Sequence, residues 1–432
     1  MKMTKVKLGD ILEAKRGTSL SGEYYDTKGK YIRLTLGNFN YPGGGFKENN
    51  IKKDIYFTGP IKKEFILHKG DIITPLTEQV AGLLGETARI PESDKFIQSA
   101  DVALLIPNEK YLDKDYMYYL ISSSGIKKQL SAAAQQTKIR HTSPDKIKLC
   151  ETWIPPLEFQ KKAAGLLKAI DDMIANNMAI ILETTSITKT LYDYWFMQFD
   201  FPDENGKPYK SSGGKMIWNA ALKKEIPYNW QVVPLKECIQ HITTGLNPRK
   251  NFVLGHGDIK YITVKNLTAN GTISWDSYDV IDEKARKLIH NRSEVGAGDI
   301  LFASIEPLGR CYLVKENPQD WAINESIFSI RPDPNKITAE YLYMLFRSEA
   351  FVRQAENSST GSVFNGIRMN VLEKLPVLLP DVKTLETFSR IVANTTDMAY
   401  CLEKEIEELI DLRNFLLPLL MNGQVTFKEK EA

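Results

Sequence analysis

The stretch WIPPLEFQKKAAGLLKAIDDMIANN, Trp153–Asn177, returns in weaker form as LLPDVKTLETFSRIVANTTDMAYCL, Leu378–Leu402, at an offset of 225 residues. Both pass from a prolyl turn into a long helix-forming run. Self-similarity at a fixed distance constrains a fold more than composition does, because each copy must be one structural unit. Further matches lie in the same order. GKYIRLTLGNF (Gly29–Phe39) resembles IKYITVKNL (Ile259–Leu267), HKGDIITP (His68–Pro75) resembles GAGDILFA (Gly296–Ala303), and DYMYYLISSSGIKKQL (Asp115–Leu130) resembles EYLYMLFRSEAFVRQA (Glu340–Ala355). The 432 residues therefore form a tandem repeat of a globular part followed by a long helix, with chain enough for two cores.

Within the globular parts, short β-branched and aromatic runs such as GDIITP, VALLIP and ESIFSIRP are divided by Gly, Pro and Asn turns, which indicates α+β structure. In the first helix Ala163, Leu166, Ile170, Met173, Asn177, Ile180, Thr184, Ile187, Leu191 and Tyr194 follow the 3/4 spacing of a coiled-coil seam. An offset of 225 gives Phe388, Ile391, Thr395, Met398, Leu402, Glu405, Leu409, Leu412, Leu416 and Leu419 in the same phase. The two helices are expected to pair with each other. Asn177, Thr184, Thr395 and Glu405 interrupt the apolar stripe, and either fix register or face a partner or water. DENGKPYKSSGGKM, between the helix end and the second globular part, reads as a mobile linker that carries the chain across, so that the second helix returns antiparallel to the first. Similar units paired this way give a pseudo-twofold arrangement. The expected divisions are 1–157 globular, 158–199 helix, 200–228 linker, 229–380 globular, 381–421 helix and 422–432 tail.

Charge is uneven along the chain. Residues 1–157 carry 24 basic against 18 acidic side chains, whereas residues 381–421 carry 4 against 8, a split that suits a first globular part meeting a polyanion. No apolar run is long enough to span a bilayer and the start MKMTKVKLGDILEAKRG lacks an apolar signal core, so a cytoplasmic protein with no membrane partner is expected. Cys150, Cys238, Cys311 and Cys401 lie far apart, and His68, His141, His241, His256 and His290 have no metal-ligand spacing. Phosphate-loop, zinc-protease and nucleophile-elbow motifs are absent, and WIPPLEF and NPQDW do not match the base-clamping signature of adenine methyltransferases. A non-catalytic chain without metal or cofactor of its own is the expectation.

IPPLEFQKKAAGLLKAIDDMI, the aromatic end LYDYWFMQFDFP, the restart IPYNWQVVPLKECI and the final LLPLLMNGQV together resemble the specificity subunits of type I restriction-modification enzymes, in order and spacing over almost the whole chain. LPDVKTLETF departs from the pattern, lacking the second proline and the glutamine that the first copy has as Gln160. The resemblance implies two target-recognition domains, 1–157 and 229–380, separated by two long antiparallel helices, each reading one half of a split, asymmetric site in double-stranded DNA. It implies two methyltransferase subunits that carry S-adenosylmethionine and dock on the helical pair, and two motor-endonuclease subunits that use ATP and Mg. Tyr192, Trp195 and Phe196 are either docking residues or a helix-end core. Readings from other classes are a free-standing DNA-binding regulator and a coiled-coil protein scaffold.

Base edges are read mostly by Arg, Lys, Asn, Gln, Ser and Thr on loops. Candidates in the first globular part are Lys15, Arg16, Thr18 and Ser19, then Thr77 and Gln79, then Gln136, Lys138, Arg140 and His141. Repeat equivalence adds Asn247, Arg249 and Lys250, then Ser304 and Arg310, then Ser362, Asn365 and Arg368. Gly70-Asp71 and Gly298-Asp299 read as structural turns.

Overall fold

The computed structural model describes residues 2–41, 44–48, 54–78, 82–133, 140–275, 277–359 and 366–427. It is α+β and divides into two compact units, Met1–Ile174 with Glu408–Ala432, and Ala175–Glu407. Each long helix, Leu157–Tyr192 and Val382–Met421, contributes residues to both units.

In the first unit an antiparallel four-stranded sheet has the order Leu12–Arg16, Val102–Pro107, Ile72–Pro75, Ala88–Arg89. The second unit repeats it as Ile239–Thr244, Ile327–Pro332, Ile300–Ala303, Cys311–Leu313. A smaller sheet beside each contains a parallel pair, Tyr31–Arg33 with Phe96–Ile97 and Ile259–Ile262 with Trp321–Ile323. The repeat extends to single side chains. Thr35 and buried Asn38 form a capping box after one of these strands, and Thr263 and buried Asn266 form the same box after its counterpart.

The prolyl motif is built differently in the two copies. Gln160, 1% exposed, accepts from the Asp113 amide (2.9 Å) and donates to the carbonyls of Tyr111 (3.0 Å) and Pro155 (2.9 Å), tying the helix start to the loop that leads into the helix Lys114–Ile121. Leu385 holds the corresponding place in the second copy and is buried in an apolar cluster. There the cap is Asp381, which accepts from the amide and hydroxyl of Thr384 and from the Trp230 indole at 3.1 Å.

Antiparallel pairing is visible inside each unit. In the first, Phe159 packs on Phe427 while Asp171, further along, pairs with Arg413, further back, at 3.0 Å. In the second, Thr188 meets Thr395 through their hydroxyls at 3.2 Å while Tyr192 packs on Phe388. The expected seam needs correction at every other position. Leu166, Met173, Ile180, Ile187, Tyr194, Ile391, Met398, Glu405 and Leu412 are exposed, and the residues that follow the apolar ones inward are Leu167, Ile174, Ile181, Thr188, Trp195, Val392, Ala399 and Arg413. Ala163, Ile170, Asn177, Phe388 and Leu409 are buried, and Thr184, Leu191, Thr395, Leu402, Leu416 and Leu419 are half-buried. The 3/4 spacing is kept with alternate positions moved by one residue. Paired apolar neighbours such as Leu166-Leu167 and Ile180-Ile181 left two phases open, and cross-helix partners such as Arg413 with Asp171 select one. Among the interrupting residues, Asn177 is buried with Nδ2 lacking a hydrogen-bond partner, while Glu405 faces outward.

Tyr192, Trp195 and Phe196 belong to the core of the second unit, with Phe196 4.7 Å from both Tyr341 and Phe388. Residues 200–228, expected as a mobile linker, instead carry a hairpin of Met216–Asn219 with Lys224–Pro227. Phe201 stacks on Tyr209 and Trp230, each at 4.7 Å, and Asp200 accepts from the Ser211 amide and hydroxyl. Composition pointed to a coil because Gly, Ser and Lys dilute these anchoring aromatics.

Cys150, Cys238 and Cys311 are buried free thiols and Cys401 is exposed, with burial pushing Cys150 and Cys238 up to about 11. Among the described residues no group of His, Cys, Asp or Glu could hold a metal ion, and no helix is long and apolar enough to cross a membrane.

Candidate nucleic-acid interface

The candidate residues of each globular part that lie among the described residues gather at one end of its four-stranded sheet. In the first unit the strand ending at Arg16 runs beside the strand starting at Val102, which runs beside the strand ending at Pro75, so three chain segments leave the sheet together. Gly17 donates its amide to the Val102 carbonyl (3.1 Å), Leu76 to Asp101 (2.8 Å), and Thr142 to Leu76 (2.8 Å). The last of these joins a two-stranded ladder in which Thr77 faces His141 and Glu78 faces Arg140.

The second unit repeats the arrangement. The strand ends at Thr244, Ile327 and Ala303 lie side by side, Ser304 donates its amide to the Ser326 carbonyl (2.9 Å), and Ile305 bridges Gly366. Gly17 and Gly245 hold matching places where the chain crosses the neighbouring strand. A Cβ on Gly17 would collide with the Ser99 carbonyl, and one on Gly245 with that of Ile323. Glycine is required there for close approach.

Individual candidates divide by exposure. Lys15, Arg16, Ser19, His141, Arg249, Lys250 and Arg368 are exposed, and Thr18, Asn247, Arg140 and Arg310 are half-buried. Lys15 pairs with Glu13 at 3.4 Å on the surface, a contact worth little when exposed. Arg16, Arg249, Lys250, Arg310 and Arg368 make no ion pair with a described residue, which leaves uncompensated positive charge at both sheet ends. Arg16 Nε donates to the Ala100 carbonyl (2.8 Å) and Arg310 Nη1 to that of Leu267 (3.0 Å), so each is held by one nitrogen.

Thr77 and Ser304 are corrections. They are 5% and 6% exposed: Thr77 is held in the ladder opposite His141, and the hydroxyl of Ser304, which follows the strand ending at Ala303, donates to the Ser326 carbonyl at 2.8 Å. Gln79, Gln136, Lys138, Ser362 and Asn365 lie outside the described residues.

Two further residues shape the first site. Gln98, 1% exposed, donates to the carbonyls of Lys15 (2.7 Å) and Val102 (3.0 Å) and so fixes the strand end that carries Arg16. Glu78, 2% exposed, accepts the amides of Gly82 (3.0 Å) and Leu84 (3.1 Å) and a bond from Arg140 Nη1 (3.4 Å). Glu78 lies between Thr77 and Gln79, and its carboxylate sets it aside from residues chosen for contact with a polyanion. Gly70 and Gly298 have φ of +84° and +87°, and the following Asp71 and Asp299 accept the amides of His68 and Gly296 at 2.8 Å, which makes both pairs structural turns.

The arrangement can place two separate sets of loops, alike in backbone and different in side chain, against a polyanion. A family model described as type I restriction modification DNA specificity domain matches residues 1–185 and 227–410. The MjaIX type I restriction enzyme specificity subunit of Methanocaldococcus jannaschii is 22% identical over 330 residues, covering 75% of this chain and 72% of that protein. The MjaVIII specificity subunit of the same organism is 23% identical over 376 residues, covering 85% and 81%, and the HindI specificity subunit of Haemophilus influenzae is 19% identical over 386, covering 77% and 82%. The crystal structure of a type I restriction-modification system S subunit from M. genitalium shares the fold, with a TM-score of 0.56 at 16% identity over 99% of this chain and 97% of that one. With the family model matched twice, once on each repeat, the chain belongs to the type I restriction-modification DNA specificity family.

Proposed function

We propose that this chain is the DNA-recognition subunit of a type I restriction-modification complex, in which each globular part reads one half of a bipartite site. The observation that carries the reading is the repeated sheet end: the same backbone frame presents Arg16, Ser19, Arg140 and His141 in one unit and Asn247, Arg249, Lys250 and Arg368 in the other. Equal frames with unequal side chains select unequal half-sites, so the target is not a palindrome. The two long helices set the unread gap between the halves.

The chain supplies recognition and its partners supply chemistry. Two methyltransferase subunits, with S-adenosylmethionine, and two ATP-driven motor-endonuclease subunits complete the assembly. Exposed apolar side chains on the long helices support docking there: Leu166, Met173, Leu412 and Phe415 in the first unit, Ile180, Leu182, Ile187, Ile391 and Met398 in the second. Contiguous exposed apolar surface marks an interaction site.

The test is a genome-wide map of methylated adenine in the source organism with and without this gene. Loss of methylation at one split, asymmetric motif is expected. An unchanged map, together with failure to co-purify a methyltransferase subunit, would overturn the proposal in favour of a regulator or scaffold.

A further inference from the structure

We propose that Arg140, held in place by the buried Glu78, reads a guanine in the half-site of the first globular part. The inference rests on the DNA-recognition reading above and deepens it. The two residues are direct cross-strand partners in the ladder at the sheet end. Arg140 Nη1 donates to Glu78 Oε1 at 3.4 Å and to Ser131 Oγ at 3.1 Å, while 42% of its side chain stays exposed. Its Nε and Nη2 make no hydrogen bond to a described residue. These nitrogens are neighbours on the guanidinium fork, and a pair of parallel N–H donors fits the O6 and N7 acceptors that guanine alone presents side by side in the major groove.

Two other arginines spend that same edge on a carboxylate within the fold. Arg331 spends Nε and Nη2 on Asp299, at 2.6 and 2.8 Å, and Arg286 spends the same two on Glu283, at 2.7 and 2.6 Å. Arg140 commits it to no described residue.

Glu78 is a positioning residue. At 2% exposure it cannot itself meet a base, and among the described residues its oxygens accept from two loop amides and the guanidinium. A glutamine there would set an amino group against one of them. Fixing the arginine before DNA arrives removes part of the ordering entropy from the binding step.

The experiment uses the full chain in complex with its methyltransferase subunits, and duplexes carrying the mapped methylation site with each guanine of one half replaced in turn by 7-deazaguanine, which lacks N7. One replacement should weaken wild-type binding by roughly 10-fold or more. That replacement should leave Arg140→Ala and Arg140→Lys unaffected, since lysine keeps a charge but not a fork. Glu78→Gln should show a reduced response at that base pair alone, with binding to other variants of the site unchanged in rank. Uniform weakening by Arg140→Ala across all sequences, with a shallower salt dependence and rescue by Arg140→Lys, would identify a phosphate contact and overturn the inference. A half-site without guanine would overturn it equally, and in both cases the DNA-recognition reading stands. Wild-type complex that binds a scrambled duplex as tightly as the mapped one sinks that reading itself.

Discussion

Asp299 has no exposed surface, and its oxygens receive Nε and Nη2 of Arg331, the Ser329 hydroxyl and the Gly296 amide. Arg331 keeps 30% of its side chain exposed and can turn to water, but the buried Ser329 hydroxyl would lose its acceptor, so Asp299→Ala should destabilise the second unit by about 1–3 kcal/mol, read as a lowered denaturation midpoint. Glu403 is different in kind. It lines a cavity of about 40 Å³ with Tyr312, Tyr343, Tyr400, Lys315 and Arg347. Burial pushes its carboxyl from an ordinary 4.5 to about 8, against the pull of Lys404 and with the repulsion of Glu407 adding. Between those values the folded protein keeps a proton that the unfolded chain has released, so this group's contribution to stability falls as pH rises through the window and is level above it. Glu403→Gln should therefore unfold at higher temperature than wild type at pH 8.5, with the gap closing toward pH 5. Parallel melting profiles would refute the assignment. At this scale the sequence was partly legible. Arg16, Arg140 and Arg249 are ordinary choices by residue type, whereas Glu78 is recognisable only once the ladder with Arg140 is known, because its role comes from a cross-strand neighbour 62 residues away.

Helix existence, length and mutual pairing could be read from spacing, since a 3/4 pattern sustained over ten positions specifies an amphipathic helix wherever it packs. Phase could not. At Leu166-Leu167, Ile180-Ile181 and Ile391-Val392 two apolar neighbours compete for one inward position, and at Ile187-Thr188 and Leu412-Arg413 the more polar neighbour wins. Thr188 is inward because Thr395 meets it, and Arg413 because Asp171 does. The consequence is measurable. Leu167→Ala, at a fully buried position, should cost about 2–5 kcal/mol, while Leu166→Ala should stay within about 0.5 kcal/mol. Equal losses at the two positions would mean that the helix is rotated from the orientation described. The hairpin at 216–227 teaches a related lesson: a few aromatics, Phe201, Tyr209 and Trp230, order a segment whose average composition is that of a linker.

For the molecule as a whole, duplication was the most legible property, because sequence and structure repeat together down to the Thr35-Asn38 and Thr263-Asn266 boxes. The bases selected stay illegible, since base choice depends on a few loop side chains and on the DNA itself. Under the function proposed, helix length converts into spacer length. Seven residues added to both helices, about 10 Å at 1.5 Å each, should lengthen the unread gap in the methylated motif by about 3 base pairs. A motif with its gap unchanged would show that the helices do not act as the ruler. Val6, close to one extremity of the sequence, and Val425 and Phe427, close to the other, pack against the same apolar cluster. Segments near the two extremities of the chain thus meet on one core within the first unit. Joined there and reopened in the Asp203–Lys207 turn, the chain would be a circular permutant that retains the apolar core of each unit.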